Sequence, residues 1–129
     1  MSTKVKTYTA TIYCGFRPGY EKISMDKDAY KNAFNEAIEV CQEYCNEDGL
    51  CVTVDKTLFI YTDGFESGVK VGFINYPRFP QDEVTIKKRA IELAEKLMIK
   101  FEQYRVSVVF TDETIMLDNK EKLEKDGAE

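Results

Sequence analysis

The chain is best entered at residues 5–20, Val5-Lys6-Thr7-Tyr8-Thr9-Ala10-Thr11-Ile12-Tyr13-Cys14-Gly15-Phe16-Arg17-Pro18-Gly19-Tyr20. Tyr8, Ala10, Ile12 and Cys14 alternate with Thr7, Thr9, Thr11 and Tyr13. Period two predicts a strand with one apolar face and one Thr/Tyr face, over roughly Val5 to Gly15. A second junction stands about sixty residues on, Tyr76-Pro77-Arg78-Phe79-Pro80. Each junction follows a strand-like run, precedes a helix-like run and sets an arginine among aromatics and proline. The chain has four arginines in all.

Between the junctions the spacing predicts a helix from about Asp26 to Asn46. Asp26 or Ser24 serves as N-cap, and Tyr30, Ala33, Phe34, Ala37, Ile38, Cys41 and Cys45 form its apolar face. Gly49 suits the left-handed residue after it. A strand over about Leu50 to Tyr61 follows, with a bulge or break expected at Asp55-Lys56. Thr62 to Gly68 reads as a turn rich in glycine and acid, and Val69 to Tyr76 as the returning strand of an antiparallel hairpin. A second helix is expected from about Gln81 to Gln103, with Ile86, Ala90, Leu93, Ala94, Leu97, Met98 and Phe101 buried. Arg105 to Thr111 is a strand, and Thr114 to Leu117 a short piece that extends it or pairs at an edge. The fold class is therefore α+β. Strand, helix, strand, strand, helix, strand is the ferredoxin-like βαββαβ sandwich: an antiparallel four-stranded sheet in the order 4-1-3-2 with both helices on one face. Strands 1 and 3 are expected at its centre as parallel neighbours. Residues 1–117 make a single domain, and 118–129 a charged, flexible tail.

With strands 1 and 3 parallel, Arg17 and Arg78 converge on one rim at the carboxyl ends of the strands. Tyr13, Phe16, Tyr20, Tyr76 and Phe79 stand beside them as flat surfaces. Arginines with aromatics fit a phosphate carried on a planar base. The opposing reading is that each arginine pins its own loop, Arg17 against Glu21 and Arg78 against Asp82 or Glu83.

Composition narrows the chemistry. The 129 residues carry a net charge of −5, which disfavours nucleic acid as partner. The sequence contains no histidine, which removes histidine-dependent nucleophile chemistry and almost all catalytic zinc sites. No cofactor is expected. The N-terminus lacks an export signal, and no membrane-length apolar run occurs, so the reading is cytoplasmic with reduced thiols. Cys14, Cys41, Cys45 and Cys51 read as buried free thiols, not as metal ligands. Asp55, Asp63 and Glu66 read as solvated acids around the hairpin turn. The sheet face away from the helices carries Tyr13, Ile74 or Phe73, Val109 or Val108 and several threonines. Such a mixture points to self-association, as a dimer or trimer; the other reading is that the C-terminal strand and tail fold across it.

The element order over residues 5–117 resembles the PII and CutA type of trimeric ferredoxin-like protein, which binds small ligands in clefts between subunits. Gly15-Phe16-Arg17 after the first strand also resembles acylphosphatases, which hold a phosphate there with an arginine. This chain lacks their longer glycine-rich cradle, and Thr62-Asp63-Gly64 stands where their asparagine is expected. The resulting expectation is a non-catalytic protein holding an anionic, nucleotide-like small molecule, as a sensor or a phage-encoded sequestering protein. The alternatives are a protein–protein inhibitor or adaptor, and a small phosphate-handling enzyme.

Overall fold

The computed structural model describes residues 1–17 and 27–119. Tyr20, Glu21 and the expected helix caps Ser24 and Asp26 lie outside them. The elements are β1 (Thr9–Gly15), α1 (Lys27–Asp48), β2 (Thr53–Tyr61), β3 (Gly64–Ile74), α2 (Glu83–Lys100), β4 (Arg105–Phe110) and β5 (Thr114–Asp118). They form a five-stranded sheet ordered β2-β3-β1-β4-β5, with every pairing antiparallel.

The first four strands keep the expected 4-1-3-2 order, and β5 adds a fifth at the β4 edge. It returns through a short turn in which the Phe110 amide donates to the Glu113 carbonyl at 2.7 Å, so it extends the sheet instead of crossing its open face. The expectation of parallel β1 and β3 is corrected: Thr9 pairs with Ile74 and Gly15 with Gly68. The physical reason is the hairpin. β2 and β3 are joined by the two residues Thr62 and Asp63, with Asp63 at φ 60°, so they must run antiparallel. The parallel pair in a split β-α-β unit is β1 and β2, which flank β3.

The hairpin also differs from its expected shape. Its pairing runs without interruption from Thr53↔Gly72 to Tyr61↔Gly64, so there is no bulge at Asp55-Lys56. The stretch read as a long turn is the first half of β3. Its glycines are strand residues with something lying on them. A Cβ on Gly64 would meet the Tyr61 ring, and one on Gly68 would come within 2.4 Å of the Cys14 carbonyl oxygen and 2.5 Å of the Phe59 ring.

Register divides the sheet into two faces. Ala10, Ile12 and Cys14 lie opposite Phe73, Val71 and Val69, all buried under the helices. α2 packs over β1 and β4, and α1 packs against β3 and α2. Ile86, Ala90, Leu93, Ala94, Leu97, Met98 and Phe101 are buried as expected. Asp82 caps α2 by accepting from the Thr85 amide at 2.7 Å. On α1 the buried line is Ala33, Ala37, Cys41 and Tyr44, while Ile38, expected inside, is 41% exposed. The stripe turns towards Tyr44 because that side chain reaches α2, where its hydroxyl donates to Glu92 at 2.7 Å. Cys14 and Cys41 are buried, but Cys51 is exposed and Cys45 half-buried, so the expectation of four buried thiols holds for two. Among the described residues, no helix is long and apolar enough to cross a membrane.

Candidate functional site

Antiparallel pairing separates the two arginine junctions. Arg17 follows the C-terminal end of β1, and Arg78 follows β3, which ends beside the start of β1. At ~3.3 Å per residue along β1 they are about 20 Å apart, so the expected common rim does not exist. The other expected residues divide accordingly. Tyr13 lies on the open face near Arg17, with its ring edge-on to Phe59 at 6.5 Å. Phe16 is not a rim residue: it is buried and packs on Phe101 at 4.8 Å. Tyr76 and Phe79 lie at the far end, where Arg78 sits 5.2 Å over the Phe79 ring. Glu83 pairs with Lys6 at 2.7 Å, and Asp82 serves as a cap.

The chemistry at the Arg17 end centres on Glu66, a residue read as a solvated turn acid. As a β3 residue in phase with Gly68, it points to the open face. Gly15 and Gly68 pair across β1 and β3 and leave bare backbone there. The Glu66 carboxylate occupies the space a Gly15 side chain would need, with Oε2 2.5 Å from such a Cβ and the Gln103 Oε1 2.9 Å from it. Oε2 accepts from the Arg17 amide at 2.9 Å. The Arg17 guanidinium turns the other way, donating through Nη1 to the Tyr61 hydroxyl at 3.4 Å and through Nη2 to the Phe65 carbonyl at 3.2 Å. Its Nε is buried with no hydrogen-bond partner among the described residues. Gln103, the buried polar residue after α2, donates to the Arg17 carbonyl at 2.6 Å and to the Phe101 carbonyl at 3.0 Å. Arg17 is thus held at its amide, its carbonyl and its guanidinium, and its amide fixes Glu66.

Burial raises the Glu66 pKa above its ordinary 4.5, against the opposing pull of the Arg17 amide and the Arg17 charge. A half-buried carboxylate with desolvation as its leading influence is a functional-site signature. With Tyr13 and Phe59 alongside, this part of the sheet offers a negative charge and aromatic surface, an arrangement that suits a cation carried on a planar group. The cysteines do not contribute. Burial pushes the Cys41 thiol up to about 12 and raises Cys14 as well, which makes both poor nucleophiles. Among the described residues, no group of three or more potential metal ligands comes together.

A cavity of about 720 Å³ lies on the opposite, helix side of the hairpin, lined by Phe16, Tyr30, Phe34, Lys56 and Ser67 among others. One of 260 Å³ lies at the far end, around Tyr76, Phe79 and Arg89.

No protein-family model and no curated protein matches the sequence. Two solved structures share the fold. One is a phage SAM lyase in complex with S-methyl-5'-thioadenosine, with a TM-score of 0.62 and 12% identity over 92% of this chain and 94% of that one. The other is a phage SAM lyase in its apo state, with a TM-score of 0.58 and 14% identity over 86% and 88%. At this identity the likeness is one of fold. It nevertheless overturns the expectation of a non-catalytic binding protein and with it the reading of the chain as no enzyme, because these structural neighbours are enzymes.

Proposed function

We propose that the protein is an enzyme that degrades S-adenosylmethionine, breaking a carbon–sulfur bond at the sulfonium and releasing S-methyl-5'-thioadenosine. The observation that carries this reading is a half-buried, pKa-raised Glu66 on glycine-floored, aromatic-flanked sheet, in a chain that shares its fold with SAM lyases. A sulfonium leaves without a general acid. The electron pair of the broken bond goes to sulfur, which becomes a neutral thioether. A lyase uses no water, so the departing fragment balances by losing a proton or by closing on its own carboxylate. Glu66 supplies the base for the first route and the counter-charge for either, in surroundings where burial reduces screening. Arg17 acts as a positioning residue through its amide, and Tyr13 and Phe59 offer surface to the adenine or the cation. The net charge of −5 favours encounter with a cationic substrate. This replaces the anionic ligand expected from the arginines.

The reading includes self-association. Leu58, Ile60 and Phe65 share one face of the β2–β3 hairpin and are 54%, 78% and 60% exposed. By register they lie on the helix side of the hairpin, the face opposite Glu66, and a second copy would cover them there. The test is incubation of the purified chain with S-adenosylmethionine, followed by chromatography and mass spectrometry. Accumulation of S-methyl-5'-thioadenosine in step with substrate loss is expected. Intact substrate after prolonged incubation with folded protein would refute the proposal.

A further inference from the structure

The far end of the molecule holds a second set of groups that the reaction above does not use. The 260 Å³ cavity lies among the end of α1, the end of β3 and the start of α2. Leu50, Phe73 and Ile86 give it apolar surface, Tyr76 and Phe79 give it aromatic surface, and Arg89 lines it from α2. Arg89 Nη1 is buried with no hydrogen-bond partner among the described residues. A guanidinium cannot shed its charge, and a buried donor left unpaired is costly. Among the described residues no carboxylate lines the cavity, so its chemistry is that of an apolar slot with one cationic donor lacking an acceptor.

We infer that this cavity is a binding site for a small aromatic or apolar molecule bearing a single carboxylate, distinct from the Glu66 site at the opposite end of β1. Three features select that class. The volume exceeds the roughly 150 Å³ that holds a benzene ring. Tyr76 and Phe79 supply surface for a flat group. Among the described residues Arg89 is the only cationic one lining the cavity, which matches a monoanion; a phosphate dianion calls for more donors. Asp82 beside Gln81 adds negative charge near the slot and weighs further against a dianion.

Sodium benzoate is the probe, titrated into the isotopically labelled full chain and followed by amide and arginine side-chain resonances. The expected result is saturable shifts at Leu50, Tyr76, Phe79 and the Arg89 side chain, with Gly15 and Glu66 unmoved. Benzamide, which keeps the ring and loses the charge, should bind roughly ten- to a hundredfold more weakly, as should benzoate to Arg89→Met. Phe79→Ala truncates an exposed ring and leaves the fold intact, so it keeps the test decisive should Arg89→Met unfold; it should weaken benzoate severalfold. Equal binding of benzamide and benzoate, unchanged binding to either folded variant, shifts confined to the Glu66 end, or no saturable shift at all would overturn the inference. Tighter binding of phenyl phosphate than of benzoate would overturn the carboxylate assignment.

Discussion

Replacing Glu66 by glutamine should make the protein more stable and less active at once. The substitution keeps shape and leaves an oxygen able to accept from the Arg17 amide, the contact now made at 2.9 Å. What it removes is the charge. Desolvation is the largest influence on Glu66, ahead of both contributions from Arg17, and it raises the pKa. A carboxyl whose folded pKa lies above its unfolded value binds more protons in the native state between those values, so stability falls as pH rises through that interval. At neutral pH the ionised group is a net burden on the fold, and glutamine relieves it. Thermal unfolding should therefore show Glu66→Gln above the parent at pH 7, with the gap closing as pH drops below the ordinary value of 4.5. Activity moves the other way. A charge-assisted interaction is worth about 1.5–3 kcal/mol, so production of S-methyl-5'-thioadenosine should fall about ten- to a hundredfold. A base role would deepen the loss. A variant that is destabilised at pH 7 would refute the assignment of desolvation as the dominant effect. A variant of undiminished turnover would remove Glu66 from the chemistry.

Four further outcomes are expected. Gly68→Ala should lose about 1–3 kcal/mol in urea unfolding, because the new methyl meets the Cys14 carbonyl oxygen at 2.4 Å and backbone cannot swing aside. Leu93→Ala, at a fully buried α2 position, should cost about 2–5 kcal/mol in the same assay. Asp82→Ala should lower the melting temperature at pH 7. Hydrogen bonds from Thr85 hold the Asp82 carboxyl below its ordinary 3.8, so its contribution is present above that value and lost as pH falls through the folded pKa; the difference between parent and variant should shrink in acid. In native thiol titration Cys51 should react first and Cys14 and Cys41 only on unfolding, with all four counted in denaturant.

The elements were legible where burial is one-sided and long. The α2 stripe from Ile86 to Phe101 and the alternation along β1 predict their faces correctly, because each faces a single continuous core. The hairpin was not. Gly64 and Gly68 read as turn residues, whereas each is a strand position over which an aromatic ring lies, and no local pattern distinguishes the two uses. Misreading that stretch moved Glu66 into a solvated loop and hid the site. The arginines misled for a related reason. The similarity of their junctions is local, but which ends of the sheet they occupy depends on strand direction. A signal for Glu66 did exist: an acid two residues before Gly68 on a strand starting at Gly64 falls on the Thr/Tyr face. It becomes visible only once the turn is confined to Thr62 and Asp63.

The placement of β1 at the centre of the sheet governs how this chain must be assembled. Its two partners come roughly sixty and a hundred residues later, at Gly68–Ile74 and Ser107–Phe110. The β2–β3 hairpin and α2 rest on local contacts and can form early. β1 precedes both partners in the chain, so it has nothing in this sheet to pair with until β3 has emerged, and its second edge stays open until β4 follows. Loops of that length close slowly, so folding slower than that of a helical bundle of this size is the expectation, with an apolar strand edge exposed to other chains in the interval.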